Sequence, residues 1–189
     1  MPDRARLFAM SQPTLAAERL ILRPFAAADA PDVTRYLSDA VVARNTLTIP
    51  HPYPDGAADE FIARQAPDWA AGRRAVWAIT QRDGGALVGA VGLHFALVHH
   101  KAEVGYWIAA PAWGRGIATE AVRRVIAFGF DDLGLYRLDA QHYVENPASG
   151  RVMAKAGMRR EGLMRGVVFR DGVPRDNELY AILRTDPRP

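Results

Sequence analysis

The chain has 189 residues, 49% of them apolar and 24% charged, the make-up of one folded domain with its own core. It contains no cysteine, which removes disulfides, thiolate metal sites and any cysteine acyl-enzyme. A net charge of +3 is too small an excess to signal nucleic acid. No apolar run reaches the ~18 residues that span a bilayer, and Arg4 and Arg6 lead into no apolar stretch of the secretory kind, so a cytoplasmic protein without membrane or nucleic-acid partners is expected.

In chain order, residues 1–13 read as a flexible tail and residues 14–184 as the domain. Residues 20–25 (LILRPF) form a short strand ended by Pro24. Asp29 is placed to cap a helix carrying Val33, Tyr36 and Leu37. Three prolines make residues 46–54 (TLTIPHPYP) a loop, and residues 57–71 are helical with a kink or stop at Pro67. Residues 75–80 and 87–95 are strands joined through the turn signal Asp83-Gly84-Gly85. The glycines of the second strand, Gly89 and Gly92, point to a bulge or a close backbone approach. His99-His100-Lys101 turns the chain into a strand over residues 103–108.

Next, Gly114 and Gly116 flank Arg115, and the pattern turns helical as far as Leu133. Val122, Val125, Ile126 and Phe130 form its apolar stripe, and Gly134 stops it. A strand, a glycine-rich turn and a helix start place unpaired N–H groups and the positive end of a helix dipole together. That is a seat for phosphate or pyrophosphate, which glycine lets approach the backbone closely. Residues 137–143 are a strand and 146–156 a short helix closed by Gly157. Residues 161–169 and 175–183 are strands turning through Asp171-Gly172. The sum is an α+β domain of about seven strands, mostly antiparallel, with one parallel crossover through the central helix.

Four motifs stand in order: ERLILRPF, AEVGYWI, WGRGIATEA, and NPASGRVMAKAGM followed by EG. On these, over residues 14–184, the chain resembles the GNAT superfamily of acetyl-CoA-dependent N-acetyltransferases. Within it, the Rim-type ribosomal-protein N-terminal acetyltransferases are most similar. The resemblance implies the GNAT fold: a single domain, a mixed and mostly antiparallel sheet with helices on both faces, and a splayed central strand pair. Some positions depart from the family pattern. Trp113 stands where Gln or Arg is usual, and Met158 where Phe is common. The Tyr that many members carry after Asn146 is absent from Met153-Ala154-Lys155.

The resemblance also implies the chemistry. An acetyl group passes directly from acetyl-CoA, the co-substrate, to a primary amine in a ternary complex, without metal. The amine must be neutral to attack, and Glu103 is the candidate base, directly or through water. Ser149, three residues after Asn146, is the candidate acid for the leaving thiolate. N–H groups of Tyr106, Trp107 and Ile108 would stabilise the oxyanion. Pantetheine would bond to that strand like an added one, with the Tyr106 and Trp107 side chains facing opposite ways. The pyrophosphate falls to the N–H groups of Trp113, Gly114, Arg115, Gly116, Ile117 and Ala118, with the Thr119 hydroxyl and the Arg115 charge. Asn146 serves the pantetheine arm, its own helix cap, or both; Arg151 and Lys155 read as surface charges. Tyr53, Phe169 and Asp176 are candidate acceptor contacts, on the walls formed by residues 45–53 and 169–177. The acceptor implied is a protein or peptide N-terminal α-amine, such as that of a ribosomal protein, and the enzyme a monomer or homodimer. The histidines 51, 94, 99, 100 and 142 show no ligand spacing.

Other readings stand beside this one. Gly114, Gly116 and Asp139 echo a dinucleotide-binding pattern. However, the third glycine position holds Thr119, and the strands before the turn are hairpin-joined. No GK[ST] follows the glycines, which excludes a nucleoside-triphosphate loop. A catalytically silent acyl-CoA-binding module, or an enzyme for small-molecule amines, would use the same seat.

Overall fold

A computed structural model describes residues 4–189. Eight strands among them form one sheet: β1 (Leu15–Ala16), β2 (Leu20–Arg23), β3 (Arg74–Gln81), β4 (Leu87–Ala96), β5 (Lys101–Ile108), β6 (Arg137–Tyr143), β7 (Arg159–Arg170) and β8 (Val173–Leu183). Their spatial order is β1-β2-β3-β4-β5-β6-β8-β7. All neighbours are antiparallel except β5 and β6, which run parallel. Seven α-helices among the described residues accompany the sheet: α1 (Arg4–Phe8), α2 (Ala30–Leu37), α3 (Ala40–Ala43), α4 (Ala57–Ala63), α5 (Gln65–Ala70), α6 (Ile117–Asp131) and α7 (Pro147–Lys155). α6 is the crossover between the two parallel strands. None of the described helices is long and apolar enough to cross a membrane.

Alternation along the strands divides the core in two. On one face Trp77, Ile79 and Leu93 pack with Val122, Val125, Ile126 and Phe128 of α6 and Met153 of α7. On the other, Val76, Ala78 and Trp107 pack with Val33 and Leu37 of α2, Val42 of α3 and Ala58 of α4. With helices on both faces, β3 is buried from Ala75 to Thr80 and reads as a continuous apolar run. Each large side chain so buried contributes roughly 1.5–3 kcal/mol.

The structure corrects several expectations. The sheet has an eighth strand, the two-residue β1, too short to leave a periodic signal. Residues 57–71 form two helices that part at Arg64, not at Pro67; Pro67 lies in the first turn of α5, where its missing N–H costs nothing. Asp29 takes the N-cap position of α2, but its side chain makes no cap hydrogen bond to the helix. Its carboxylate accepts from both Arg23 Nη atoms at 2.7 Å and from the Ala26 N–H at 2.8 Å. Of the expected tail 1–13, residues 1–3 lie outside the described residues, and the rest packs. Phe8 stacks edge-on against Trp69, Gln12 Nε2 donates to the Val76 carbonyl, and the Trp69 and Trp77 indoles donate to the carbonyls of Met10 and Pro13. Those indoles are buried and need an acceptor, and this segment provides it.

Candidate active site

β5 and β6 pair only at Lys101↔Arg137, Ala102↔Leu138 and Glu103↔Asp139. Beyond Glu103, β5 stays registered with β4 as far as Ile108↔Gly89, while β6 keeps its register with β8 from Arg137↔Leu183 to Tyr143↔Asn177. The expected splay is therefore present. It leaves the backbone groups of alternate residues, Val104, Tyr106 and Ile108, facing an open gap, while those of Gly105 and Trp107 turn to β4; the groups at the gap need partners. Gly89 makes the β4–β5 approach possible: a Cβ there would press on the Trp107 carbonyl and lie 2.9 Å from Ile108 Cδ1 and 3.1 Å from Ile108 Cα. The β3–β4 register shifts beside it, between Ile79 and Thr80, so the bulge and the close approach expected there occur together.

At the end of β5 the chain passes through the glycine turn into α6. Gly114 and Gly116 have φ of 73° and 79°, a left-handed conformation that favours glycine. Among the described residues no backbone carbonyl takes the N–H groups from Gly114 to Thr119. Trp113 differs from the expectation. Its N–H is engaged by the Ala110 carbonyl at 3.2 Å, and its indole donates to the Ile108 carbonyl at 2.7 Å. It ties the turn to the strand and leaves the row of free amides. Arg19, within the ERLILRPF motif but given no role there, joins the turn to α6. Its backbone N–H and Nε bond the two oxygens of Glu120 at 2.7 and 2.8 Å, and Nη1 donates to the Arg115 carbonyl at 3.1 Å. The start of β2 thus latches the turn to the first turn of α6. The Arg115 side chain is exposed.

The two faces of the gap carry different groups. Ala102, Val104, Tyr106 and Ile108 face α6 and α7; Glu103, Gly105 and Trp107 alternate to the side of α2–α4. The Tyr106 hydroxyl lies 2.6 Å from Ser149 Oγ, and burial pushes the phenol up to about 12 despite that hydrogen bond. Ser149 is in the first turn of α7, where Asn146 is the N-cap and its side chain accepts from the Ser149 N–H at 3.4 Å. On the opposite face Gln141 Nε2 donates to Glu103 Oε1 at 3.1 Å, and Asn177 Nδ2 donates to Gln141 Oε1 at 2.8 Å. Spacing could not show this amide chain, because it joins β5, β6 and β8.

The acceptor contacts separate. Tyr53 packs against the α2–α4 cluster, and burial raises its phenol pKa. The loop and hairpin do meet, through a residue not singled out in the sequence: Arg170 Nη1 donates to the carbonyls of Thr46, Leu47 and Ile49 at 2.8, 3.0 and 3.0 Å. Phe169, its neighbour on β7, alternates to the other face and is 70% exposed. Asp176 alternates away from Asn177 and uses Oδ1 to accept from the Gly166 N–H at 2.7 Å. It does so where β7 departs from its register with β8.

Comparison with known proteins decides the family. The acetyltransferase (GNAT) domain matches residues 19–159. The chain belongs to the GNAT acetyltransferases. It is 33% identical over 178 residues to the uncharacterized N-acetyltransferase YoaA of Bacillus subtilis, covering 91% of this chain and 97% of YoaA. It is 34% identical over 134 residues to YdaF of the same organism, a proposed ribosomal N-acetyltransferase, covering 69% of this chain and 73% of YdaF. Among solved structures it is similar to Mycobacterium smegmatis RimJ in complex with a CoA disulfide. The TM-score is 0.79 at 27% identity, over 90% of this chain and 87% of RimJ. The GNAT fold, Rim-type relatives and an acetyl-transferring activity are thus established, and the dinucleotide reading is set aside.

Proposed function

We propose that this acetyltransferase is a cytoplasmic enzyme that moves the acetyl group of acetyl-CoA directly to a protein or peptide N-terminal α-amine. The observation that carries the reading is continuity. The open edge of β5 ends at Ile108, and one short turn over Ala110–Ala112 carries the chain to the free amides of Gly114–Thr119, so an extended arm on the first and a diphosphate on the second would be neighbours. Free amides, a left-handed Gly116 and the start of α6 suit an anion there.

In that arrangement the gap-facing N–H groups of Tyr106 and Ile108 hold the oxyanion of the tetrahedral intermediate, while the Trp107 N–H, turned to β4 by alternation, takes no part. Glu103, on the α2–α4 side, takes the amine proton directly or through water. Ser149, on the α7 side, donates a proton or hydrogen bond to the departing sulfur. Tyr53 and the loop held by Arg170 border the amine's approach. A protein acceptor is supported by the similarity to YdaF, a proposed ribosomal N-acetyltransferase.

Calorimetry with CoA, followed by thiol release from acetyl-CoA with short peptides and with spermidine, tests the reading. CoA should bind, and peptides with free N-termini should turn over. Turnover of spermidine alone moves the acceptor to small amines, and absence of CoA binding removes the donor.

A further inference from the structure

The bond between Tyr106 and Ser149 crosses the mouth of the gap: one partner belongs to β5, the other to the helix that follows β6. Ser149 is fixed from its own side as well, since its N–H is held by the Asn146 carbonyl at 3.1 Å and by the Asn146 side chain. Tyr106 has one proton and two acceptors within reach, Ser149 Oγ at 2.6 Å and the Ser149 carbonyl at 3.2 Å. The shorter contact is at the tight end of the O–H···O range. Between a phenol and an aliphatic hydroxyl, the phenol is the stronger acid and the better donor. With the tyrosine proton on Oγ, the serine proton is left free for another acceptor.

We propose that Tyr106 is a positioning residue for Ser149: its hydroxyl donates to Ser149 Oγ and leaves the serine proton to hydrogen-bond the coenzyme A sulfur as the thiolate departs. This rests on acetyl-CoA being the donor. The amine nitrogen bonds the acyl carbon, the C–S bond breaks with its electron pair on sulfur, and the amine proton goes to Glu103 or water. The sulfur leaves as a hydrogen-bonded thiolate. No proton leaves Tyr106, whose burial holds it protonated through the neutral range. Donation from tyrosine polarises the serine hydroxyl, and chained hydroxyls strengthen one another.

The test titrates the thiol of CoA bound to the full chain. Thiolate absorbance is followed from about pH 6 to about pH 9.5, below ordinary tyrosine ionisation near ~10. In the wild type the bound thiol should titrate about one unit below free CoA, because a hydrogen bond to the charged form favours it. Ser149→Ala should abolish that shift. Tyr106→Phe should abolish most of it while leaving CoA affinity at low pH unchanged. In the Ser149→Ala background, Tyr106→Phe should add nothing. Tyr106→Met, a second side chain without a hydroxyl, should match Tyr106→Phe if lost packing is not the cause. In turnover, Tyr106→Phe should lower kcat about tenfold with an unchanged KM for acetyl-CoA. A Tyr106→Phe protein that titrates like the wild type overturns the proposal, as does a shift persisting in Ser149→Ala. CoA bound with an ordinary thiol overturns the proposal but leaves the donor assignment standing; absence of CoA binding overturns both.

Discussion

The proposed coenzyme seat at the start of α6 and the proposed acceptor wall, where Arg170 holds the loop of residues 46–49, are built in opposite ways. The seat is consecutive backbone, Gly114 to Thr119, held in shape by two left-handed glycines and the Arg19 latch. The wall depends on one side chain, Arg170, reaching carbonyls more than a hundred positions earlier in the chain. A seat of amides tolerates side-chain change: Trp113 replaces the usual residue and simply bonds the Ile108 carbonyl instead. A wall of side chains does not.

The largest effect expected on the backbone-built side comes from Gly89→Ala. The new methyl would meet the Trp107 carbonyl and Ile108 Cα, backbone atoms that cannot swing aside as the Ile108 Cδ1 end can. Urea unfolding should show a loss of about 3 kcal/mol, the upper end for overpacking, together with weaker CoA binding as β5 shifts. A loss under ~1 kcal/mol would mean that the β4–β5 spacing is soft and that the seat owes its shape to something other than backbone fit. Next in size is Glu103→Gln, which keeps the Gln141 contact sterically but removes the proposed base. Steady-state rates should fall about 100-fold, the lower range for general base catalysis, with CoA affinity intact. A rate within twofold of the wild type would pass the proton to water alone.

Arg170→Ala separates the two sides directly. The loop around residues 46–49 loses three carbonyl bonds to a charged donor, while the turn at residues 114–119 is untouched. The KM of the peptide acceptor should rise about tenfold, or ~1.4 kcal/mol, with the calorimetric Kd for CoA unchanged. If CoA affinity fell equally, the wall and the seat would be one cooperative unit and the contrast between them would not hold.

What was legible in the sequence follows the same division. Periodicity and turn residues are local. Seven of the eight strands, α6 with its stripe of Val122, Val125, Ile126 and Phe130, and the glycine turn all came from neighbours in the chain. The gap itself was legible only through resemblance, since nothing in residues 103–108 says where pairing with β6 ends. Pairing across elements was illegible. The Tyr106–Ser149 bond, the chain from Asn177 through Gln141 to Glu103, and Arg170 on its loop each join residues from different elements. Asp29 was misread for a related reason: an acidic residue before a helix signals a cap, and only the fold brings Arg23 close enough to take the carboxylate first.

That Arg23–Asp29 pair carries the smallest prediction, and it confines the effect to the acceptor side. Asp29 is buried at the base of α2, whose Val33 and Leu37 pack in the same cluster as Trp107. Burial alone raises its carboxyl pKa, but the hydrogen bonds from Arg23 and the Ala26 N–H outweigh burial and hold it below the ordinary value. A group depressed in the folded state stabilises the protein above its unfolded pKa, near ~3.9 for Asp, and that stabilisation is lost as pH falls through the folded value. Between about pH 5 and pH 3 the wild type should therefore lose more Tm than Asp29→Asn, by a few degrees at about 2–4 °C per kcal/mol for a chain of this size. The variant starts lower at neutral pH, because an amide cannot return both bonds to the Arg23 guanidinium. Because Asp29 touches none of the Gly114–Thr119 amides, CoA affinity measured at neutral pH should be the same in both proteins. Parallel acid profiles would show that α2 is anchored by Val33 and Leu37 packing alone, with the ion pair contributing nothing that protonation can remove.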